Sequence, residues 1–398
     1  MKHREPRTIP RAGRILFAIV LIDLIGFGIV LPILPAYAAE FSSSETAIGA
    51  LVASFSLMQF LLAPWWGRLS DRVGRRPVIL LGLASSAVSY LLFAMAGDYW
   101  LLLLSRVLAG GVGATVNVAQ AYFADITPPA ARARAMGLIG MAFGLGFIIG
   151  PALAALTSHA GAMVPGMTAA AFCGLSLLIG WRYLPETREH RPSSPIGAVP
   201  WGITTAPYFV MLLSVIGFAV ITVVFPLFTA QTIGLGRRET SMFFVLMGMS
   251  SAVVQGWLLG KVAPRFGERM LMIGGSGLLA LGLAALPLAH TLGLGPAGHW
   301  TVFLLALVAL SAGTGFVWPA AAAFISREAS EAEQGRALGV LHSIASIARV
   351  VGPVLIGFVG ERGGFSAAFY CAALMAAGAG MAGLLVGRRQ QPAPANGR

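Results

Sequence analysis

Charged residues are scarce in this chain. Asp, Glu, Lys and Arg together account for 11% of its 398 residues, whereas they account for about a quarter of an ordinary soluble domain. Hydrophobic residues account for 57%. A chain of this composition has too little polar surface to cover a core in water, so the soluble globular classes are excluded and an integral membrane protein is indicated.

Cysteine is also scarce, and the motifs of catalysis are missing. Cys173 and Cys371 lie in separate apolar runs without ligand spacing, which argues against a disulfide or a metal site. We interpret both as small core or lipid-facing residues. The sequence has no phosphate-binding GxxxxGK[ST] loop and no nucleophile beside an evident base. We therefore expect no enzymatic activity, no cofactor and no metal.

Acidic residues are outnumbered by basic ones, 15 to 27, which gives a formal net charge of +12. Of the 27 basic residues, 22 fall in the two tails, in the connections that follow the even-numbered apolar segments, or at the ends of those segments next to these connections. Because basic connections stay in the cytoplasm, both termini are predicted to be cytoplasmic. The positive charge then reflects topology and attraction to membrane lipids, and it does not indicate a nucleic-acid partner.

Twelve apolar segments are long enough to span a membrane, since a helix needs roughly 20 residues to cross about 30 Å of hydrocarbon. The predicted fold class is an all-α membrane protein with twelve transmembrane helices. The predicted spans are residues 15–39, 47–68, 77–97, 100–123, 136–158, 162–184, 207–231, 240–261, 270–290, 300–325, 337–359 and 365–387.

The sequence repeats itself after half its length. The basic segment 67–76, GRLSDRVGRR, is echoed by 260–269, GKVAPRFGER, and Gly150-Pro151 is echoed by Gly352-Pro353. The connector 185–206 is rich in proline and predicts a linker. We therefore expect two pseudo-symmetric six-helix bundles, an N-terminal bundle of residues 1–184 and a C-terminal bundle of residues 207–398, joined by a cytoplasmic linker of residues 185–206.

The basic segment resembles the signature of the major facilitator superfamily between its second and third helices. Segments 23–28, DLIGFG, and 31–35, LPILP, resemble the first helix of its drug/proton antiporters related to tetracycline exporters. The resemblance implies a monomer in a bacterial cytoplasmic membrane that exchanges protons for a small-molecule substrate by alternating access. Tetracycline exporters carry further acidic residues in helices three and nine and a histidine in helix eight, which are missing here. The resemblance therefore favours export of small amphipathic molecules over tetracycline itself.

The resemblance also implies gating and antiporter residues. Asp71 is expected against the positive end of span 11 near Gly339, and Arg75 is expected to pair with Asp125 when the cytoplasmic side is closed. The gating set is Gly67, Asp71, Arg72, Gly74, Arg75, Arg76 and Asp125. The antiporter motif of span 5, which favours export over uptake, is Gly137, Gly146, Gly150 and Pro151. The alternatives are that the charges only anchor topology and that the glycines only pack helices.

Asp23 is the one acidic residue well inside a predicted span. It lies nine residues past Arg14, or roughly 13 Å along a helix, near the middle of the bilayer. A carboxylate in hydrocarbon is costly when charged, so it can take up and release a proton. We interpret Asp23 as the proton carrier, with a structural carboxylate as the alternative.

Three basic residues accompany Asp23 as proton-coupling candidates. Arg106 resembles the fourth-helix motif of the superfamily, in which arginine serves proton transfer, although snorkelling to the outer interface is an alternative. Arg349 lies 13 residues past Arg336, roughly 20 Å into span 11, and needs a negative partner. That partner is either Asp23 or the acidic group of an anionic substrate. His342 is either a proton relay or an ordinary polar residue.

Substrate contacts and rival functions complete the expectations. The substrate-binding candidates are polar or amphipathic residues in apolar spans, namely Gln59, Asn117, Gln120, Gln231, Gln255 and Trp318. The leading function is proton-coupled export of small amphipathic molecules. One alternative is a transporter of an anionic lipid or other anionic solute that uses Arg349, which proton-independent transport would favour. Another is a transporter-like sensor or assembly protein, which an absence of counterflow in liposomes would favour.

Overall fold

The computed structural model describes residues 11–42, 44–113, 115–127, 132–158, 161, 163–187, 205–293, 295–329 and 333–386. Within these residues the chain is helical and contains no strand. The helices are α1 (Arg11–Val30), α2 (Leu34–Ala38), α3 (Glu45–Val73), α4 (Arg75–Ala94), α5 (Tyr99–Val112), α6 (Thr115–Ile126), α7 (Arg132–Thr157), α8 (Met163–Tyr183), α9 (Ala206–Gln231), α10 (Arg237–Val253), α11 (Leu259–Thr291), α12 (Gly295–Glu328) and α13 (Gln334–Leu384).

Ten helical segments in the described part are long and apolar enough to cross a membrane, so the chain is an integral membrane protein. Two of them, Arg237–Thr291 and Arg336–Leu384, have 55 and 49 residues and are too long for one crossing. Gly267 and Gly364 interrupt them with φ angles of 72° and 77°. Each interrupted segment has the length of two crossings, and the count of twelve spans stays a prediction.

The first predicted span, residues 15–39, is not continuous. Helix α1 ends at Val30, and the short helix α2 begins at Leu34 after a three-residue turn. Pro32 and Pro35 account for the interruption, because proline lacks an N–H group and disfavours helical backbone at the residue before it. The helix of the first predicted span is therefore interrupted close to the end of that span.

The fourth predicted span, residues 100–123, is also broken. Gly113 separates α5 from α6 and leaves backbone carbonyls without helical partners. Unpaired carbonyl groups are costly in hydrocarbon. The indole N–H of Trp66 donates to the carbonyl of Gly111 at 2.6 Å, and the amide of Gln59 donates to the carbonyl of Gly113 at 3.5 Å. Two side chains of α3 thus supply hydrogen bonds to the carbonyl groups at the break between α5 and α6.

The glycine-proline repeats mark equivalent helix contacts in the two halves. In the first half, α1 packs on α7 so closely that a Cβ atom at Gly150 would lie 2.5 Å from the Cα of Gly28. In the second half, α9 packs on α13, and a Cβ at Gly352 would lie 2.9 Å from the Cβ of Ala219. The linker between the halves falls mainly on residues 188–204, outside the described residues, so the domain boundaries stay a prediction.

The two halves meet at the end of the bundle that lies opposite the basic turns. We call this the outer end, and the end that carries the turns at Gly74 and Gly267 the inner end. Helix α3 contacts α13, where a Cβ at Gly49 would lie 2.8 Å from the carbonyl carbon of Pro353. Helix α7 contacts α10, where a Cβ at Gly248 would lie 2.7 Å from the carbonyl oxygen of Phe147.

At the inner end the same helices separate. Gly67 lies on the face of α3 that carries Gly49, because 18 residues complete five helical turns of about 3.6 residues. Of the atoms that the structure describes outside the helix's own backbone, none lies within 4 Å of a Cβ position at Gly67, at Gly137 of α7 or at Gly339 of α13. The two halves therefore part at the inner end, and we call the space between them there the cleft.

Candidate functional site

Asp23 projects into the interior of the first half. Its Oδ1 atom accepts a long hydrogen bond from the Sγ of Cys173 on α8 at 3.6 Å, and the Ser86 hydroxyl of α4 lies beside it. The next residue, Leu24, packs instead against Gly146 of α7. Cys173 is therefore more than a packing residue, in contrast to the interpretation from sequence: it is buried and holds the membrane carboxylate.

Arg106 is buried in the same half, with 2% of its surface exposed. Its guanidinium carbon lies 5.5 Å from the ring centre of Tyr90 and 5.3 Å from that of Phe93. Its Nε donates to the Ser105 hydroxyl at 3.3 Å. Arg106 therefore does not snorkel to the outer interface, and the aromatic faces stabilise its charge.

Tyr90 links Asp23 and Arg106 and escaped the sequence analysis. Its ring edge lies 3.3 Å from the Cβ position at Gly26 of α1, and the Arg106 guanidinium lies over its ring. The available signal was a tyrosine in the middle of an apolar span, since a buried tyrosine hydroxyl needs polar company. Tyr90, Cys173 and Ser86 complete a polar cluster around Asp23.

The predicted pairing of Asp23 with Arg349 is absent among the residues that the structure describes. A guanidinium N–H of Arg349 donates to the hydroxyl of Ser346 at 2.9 Å, one turn earlier on α13. The side chains of Arg349 and His342 are exposed. Asp23 faces the interior of the first half, whereas these two basic residues lie on the second half.

The gating candidates are gathered at the inner end of the first half. Arg75 forms ion pairs with Asp71 at 2.6 Å and with Asp125 at 3.1 Å. The pair with Asp125 is present while the cleft is open at the inner end, so it does not depend on closure there. Because no described atom lies within 4 Å of the Cβ position at Gly339, the expected contact of Asp71 with that part of α13 is not made.

The rest of the basic segment shapes the turn itself. Gly74 adopts φ 107°, a conformation that other residues rarely adopt, and joins α3 to α4. Arg72 is exposed in the last turn of α3. The guanidinium of Arg76 donates to the carbonyl of Trp181 at 2.7 Å. Glu186, which the sequence analysis did not single out, accepts hydrogen bonds from the backbone N–H groups that begin α4.

The four antiporter-motif residues divide between two surfaces. Gly146 and Gly150 form the contact with α1, and Pro151 follows inside α7. Gly137 is exposed, and no described atom outside its own helix backbone lies within 4 Å of a Cβ position there. Close packing is therefore shown for two of the four, and a role in export stays a prediction.

The substrate-binding candidates do not form one cluster. Gln59 is committed to the carbonyl of Gly113, whereas Gln255 lies in a π-helical turn, Val254–Leu258, and donates to the Ser251 hydroxyl at 2.8 Å. Trp318 packs edge-on against Phe218, with ring centres 5.7 Å apart. Asn117 and Gln120 are exposed on α6, and Gln231 ends α9 at the outer end, far from the cleft mouth.

Two repeated helical halves around a cleft that opens at one end are the architecture of a secondary transporter. The sequence matches the Major Facilitator Superfamily over residues 16–264 and 207–398, and the chain belongs to this family of transporters. The resemblance to drug/proton antiporters related to tetracycline exporters is thereby confirmed.

Relatives and solved structures agree with this assignment. A tetracycline resistance protein, class C, from Escherichia coli is 33% identical over 86% of this chain and 88% of its own length. The quinolone resistance protein NorA of Staphylococcus aureus is 24% identical over 94% of both chains. The crystal structure of the human organic anion transporter MFSD10 covers 94% of this chain and 100% of its own, with a TM-score of 0.69 and 25% identity.

Proposed function

We propose that this chain exports small amphipathic molecules in exchange for protons by alternating access. The proposal rests on the surroundings of Asp23: this carboxylate lies inside the membrane, and its neighbours Cys173 and Ser86 are neutral. A carboxylate in such a place is costly as an anion and is stabilised by taking up a proton. The tetracycline and quinolone resistance relatives support export of drug-like substrates.

Arg106 acts on the proton step through Tyr90. Burial favours the protonated, neutral form of Asp23, whereas a nearby guanidinium favours the charged form. Because the arginine itself stays protonated, it holds no exchangeable proton and tunes the carboxyl group instead. Opposed influences of this kind keep both forms of Asp23 accessible, so a change in its surroundings on substrate binding is able to release the proton.

The cleft supplies the route for the substrate. With the inner side as the cytoplasm, the structure is an inward-facing state that admits molecules from the cell interior or the inner leaflet. Its outer closure includes an ion pair between Arg237 and Glu40 and hydrogen bonds from Ser44 and Thr46 to Glu361. Export requires these contacts to open while the inner ends of α3 and α13 approach each other.

The decisive experiment measures proton release by the purified protein in detergent between pH 5 and 9. Wild type is compared with Asp23→Asn while a quinolone, a tetracycline and a hydrophobic cationic dye are added in turn. We expect substrate to displace protons from wild type and not from the variant, and we expect tetracycline to be the weakest of the three. Equal release by both proteins would show that Asp23 is structural and would remove the proton-coupling proposal.

A further inference from the structure

The two arginines at membrane depth differ in their surroundings. Arg106 is buried against aromatic rings, whereas Arg349 is exposed and, among the described residues, has only the hydroxyl of Ser346 as a hydrogen-bond partner. Within the described part of the chain, no carboxylate oxygen lies within 4.0 Å of the Arg349 guanidinium. A permanently charged group at that depth is costly until an anion meets it.

The position of Arg349 along α13 places it near the middle of the membrane. It follows Arg336 at the inner end by 13 residues and precedes the break at Gly364 by 15 residues, so it lies roughly 20 Å from each end. Snorkelling over such a distance exceeds the reach of an arginine side chain. The charge therefore has to be neutralised locally.

The direction of Arg349 follows from the helix register. At about 100° per residue, Arg349 lies within ~40° of Pro353 and ~20° of Gly360 around the helix. Pro353 contacts Gly49 of α3 across the two halves, and Gly360 lies against the side chain of Glu45. Arg349 is thus on the face of α13 that meets the first half further out, and it faces the cleft where the halves part.

This face of α13 carries polar side chains over two turns. His342 lies about 20° from Arg349 on the same face, closer to the cleft mouth, and its side chain is exposed. Ser346, about 60° from Arg349 around the helix, donates its hydroxyl proton to the carbonyl of His342 at 2.9 Å. One N–H group of the Arg349 guanidinium donates to the Ser346 oxygen, and its other N–H groups are the strongest hydrogen-bond donors on this face.

We propose that Arg349 is the anion-binding subsite of the cleft and that it takes the oxyanion of an amphipathic substrate, with the apolar body of the substrate against the cleft walls. The inference rests on the proposed export function and adds to its substrates a class of molecules that carry a carboxylate or a phosphate group. A guanidinium binds a carboxylate through two parallel hydrogen bonds, which an uncharged amide does not reproduce.

The test measures binding to the purified full-length protein in non-ionic detergent by titration calorimetry. The probes are 2-naphthoate and 2-naphthamide, which have nearly the same size and differ in charge. We expect wild type to bind the carboxylate about tenfold more tightly than the amide, as a charge-assisted pair requires. Arg349→Gln should bring the two affinities together, and Arg349→Lys should retain part of the difference.

Arg238→Gln is the matched control, because Arg238 is an exposed arginine at the outer end, and it should bind like wild type. Equal affinity of wild type for both probes would exclude a soluble carboxylate at this subsite, and a carboxylate preference that survives in Arg349→Gln would overturn the subsite. The comparison within wild type remains decisive if the glutamine variant does not fold.

A third probe, a short-chain phosphatidylglycerol, separates a soluble substrate from a lipid. Arg349-dependent binding of naphthoate alone indicates a soluble acid, and Arg349-dependent binding of the phospholipid alone assigns the same subsite to a lipid headgroup. If neither naphthoate nor the phospholipid shows Arg349-dependent binding, the proposal is overturned. If no anion binds but the cationic dye still displaces protons from the protein, the export function stands without the subsite. If an anion binds but no substrate displaces protons, the subsite stands without the export function.

Discussion

Helix α1 of the first half and helix α9 of the second half make the same close contact within their own halves. A Cβ atom at Gly26 would lie 3.4 Å from the carbonyl oxygen of Ala169 on α8. A Cβ atom at Gly217 would lie 2.8 Å from the carbonyl oxygen of Ala372 on α13. These two contacts fix the correspondence between the halves, and the residues around them can be compared position by position.

The compared positions differ in chemistry. Three residues before the glycines stand Asp23 in the first half and Ser214 in the second, and four residues after the alanines stand Cys173 and Ala376. The carbonyl of Ser105 on α5 contacts α4, and the carbonyl of Ala306 on α12 contacts α11 in the same way. The residue after this carbonyl is Arg106 in the first half and Leu307 in the second.

The second half therefore keeps the packing and omits the buried charge. Leu307 is fully buried, in the same way as Arg106, yet it needs no electrostatic partner. Close helix packing does not require the polar cluster, since the second half forms without one. This difference supports the proposal that the cluster of the first half serves proton exchange.

The largest effect is expected from replacing Asp23, whose counterpart in the second half is the uncharged Ser214. Asp23→Asn removes the exchangeable proton, so drug accumulation in everted vesicles energised by a pH gradient should fall to the level of vesicles without the protein. The matched variant Ser214→Ala should leave accumulation unchanged, because the Ser214 hydroxyl has no hydrogen-bond partner among the described residues. Full activity of Asp23→Asn would contradict the assignment.

The next effect comes from exchanging the residues at Arg106 and Leu307. Arg106→Leu should fold, because an apolar side chain of similar size often replaces a buried charge without loss of stability, but it should lose most proton-coupled transport. Leu307→Arg should destabilise the second half by several kcal/mol, since it buries a charge without a partner. Thermal unfolding in detergent separates the two results, and equal melting temperatures for both variants would refute the comparison.

A smaller effect is expected at the glycine contacts of the fifth and eleventh spans. Gly150→Ala would place a methyl group 2.5 Å from the backbone of Gly28, whereas Gly352→Ala would meet a side-chain atom of Ala219 at 2.9 Å. Overpacking of this kind costs about 1–3 kcal/mol. We expect both variants to melt at lower temperature and Gly150→Ala to be the more affected, because backbone yields less readily than a methyl group. A greater loss for Gly352→Ala would argue against this ranking.

The smallest effect concerns the inner turns, whose ion pairs have opposite polarity. Arg75 of the first turn pairs with Asp125, and Glu268 at the equivalent place in the second turn pairs with Arg327 at 2.7 Å. Exposed pairs contribute about 1 kcal/mol or less, so Glu268→Arg should slow transport about twofold to fivefold.

The double variant Glu268→Arg with Arg327→Glu restores the pair with the polarity of the first turn. Transport by the double variant should return to near the wild-type rate, measured as initial drug uptake into everted vesicles. A double variant as slow as Glu268→Arg alone would show that the pair does not contribute to the transport cycle.

The membrane class, the repeated basic turns and the family followed from the sequence. Span length is set by the thickness of the hydrocarbon, and a turn such as that at Gly74 depends on local backbone conformation, so local residues carry both signals. The polar character of Asp23, Arg106 and Arg349 was likewise visible, because a charge in an apolar run stands out without any knowledge of its neighbours.

The partners of those charges were decided by the tertiary structure. Asp23 meets Cys173, 150 residues away, and not Arg349, and Arg106 meets the ring of Tyr90. The breaks at Gly113 and after Val30 persist because other helices or prolines accommodate them. Hydropathy fixes that a helix crosses the membrane, but its rotation, its tilt and its neighbours depend on close packing over the whole bundle, and these determine which side chains share a site.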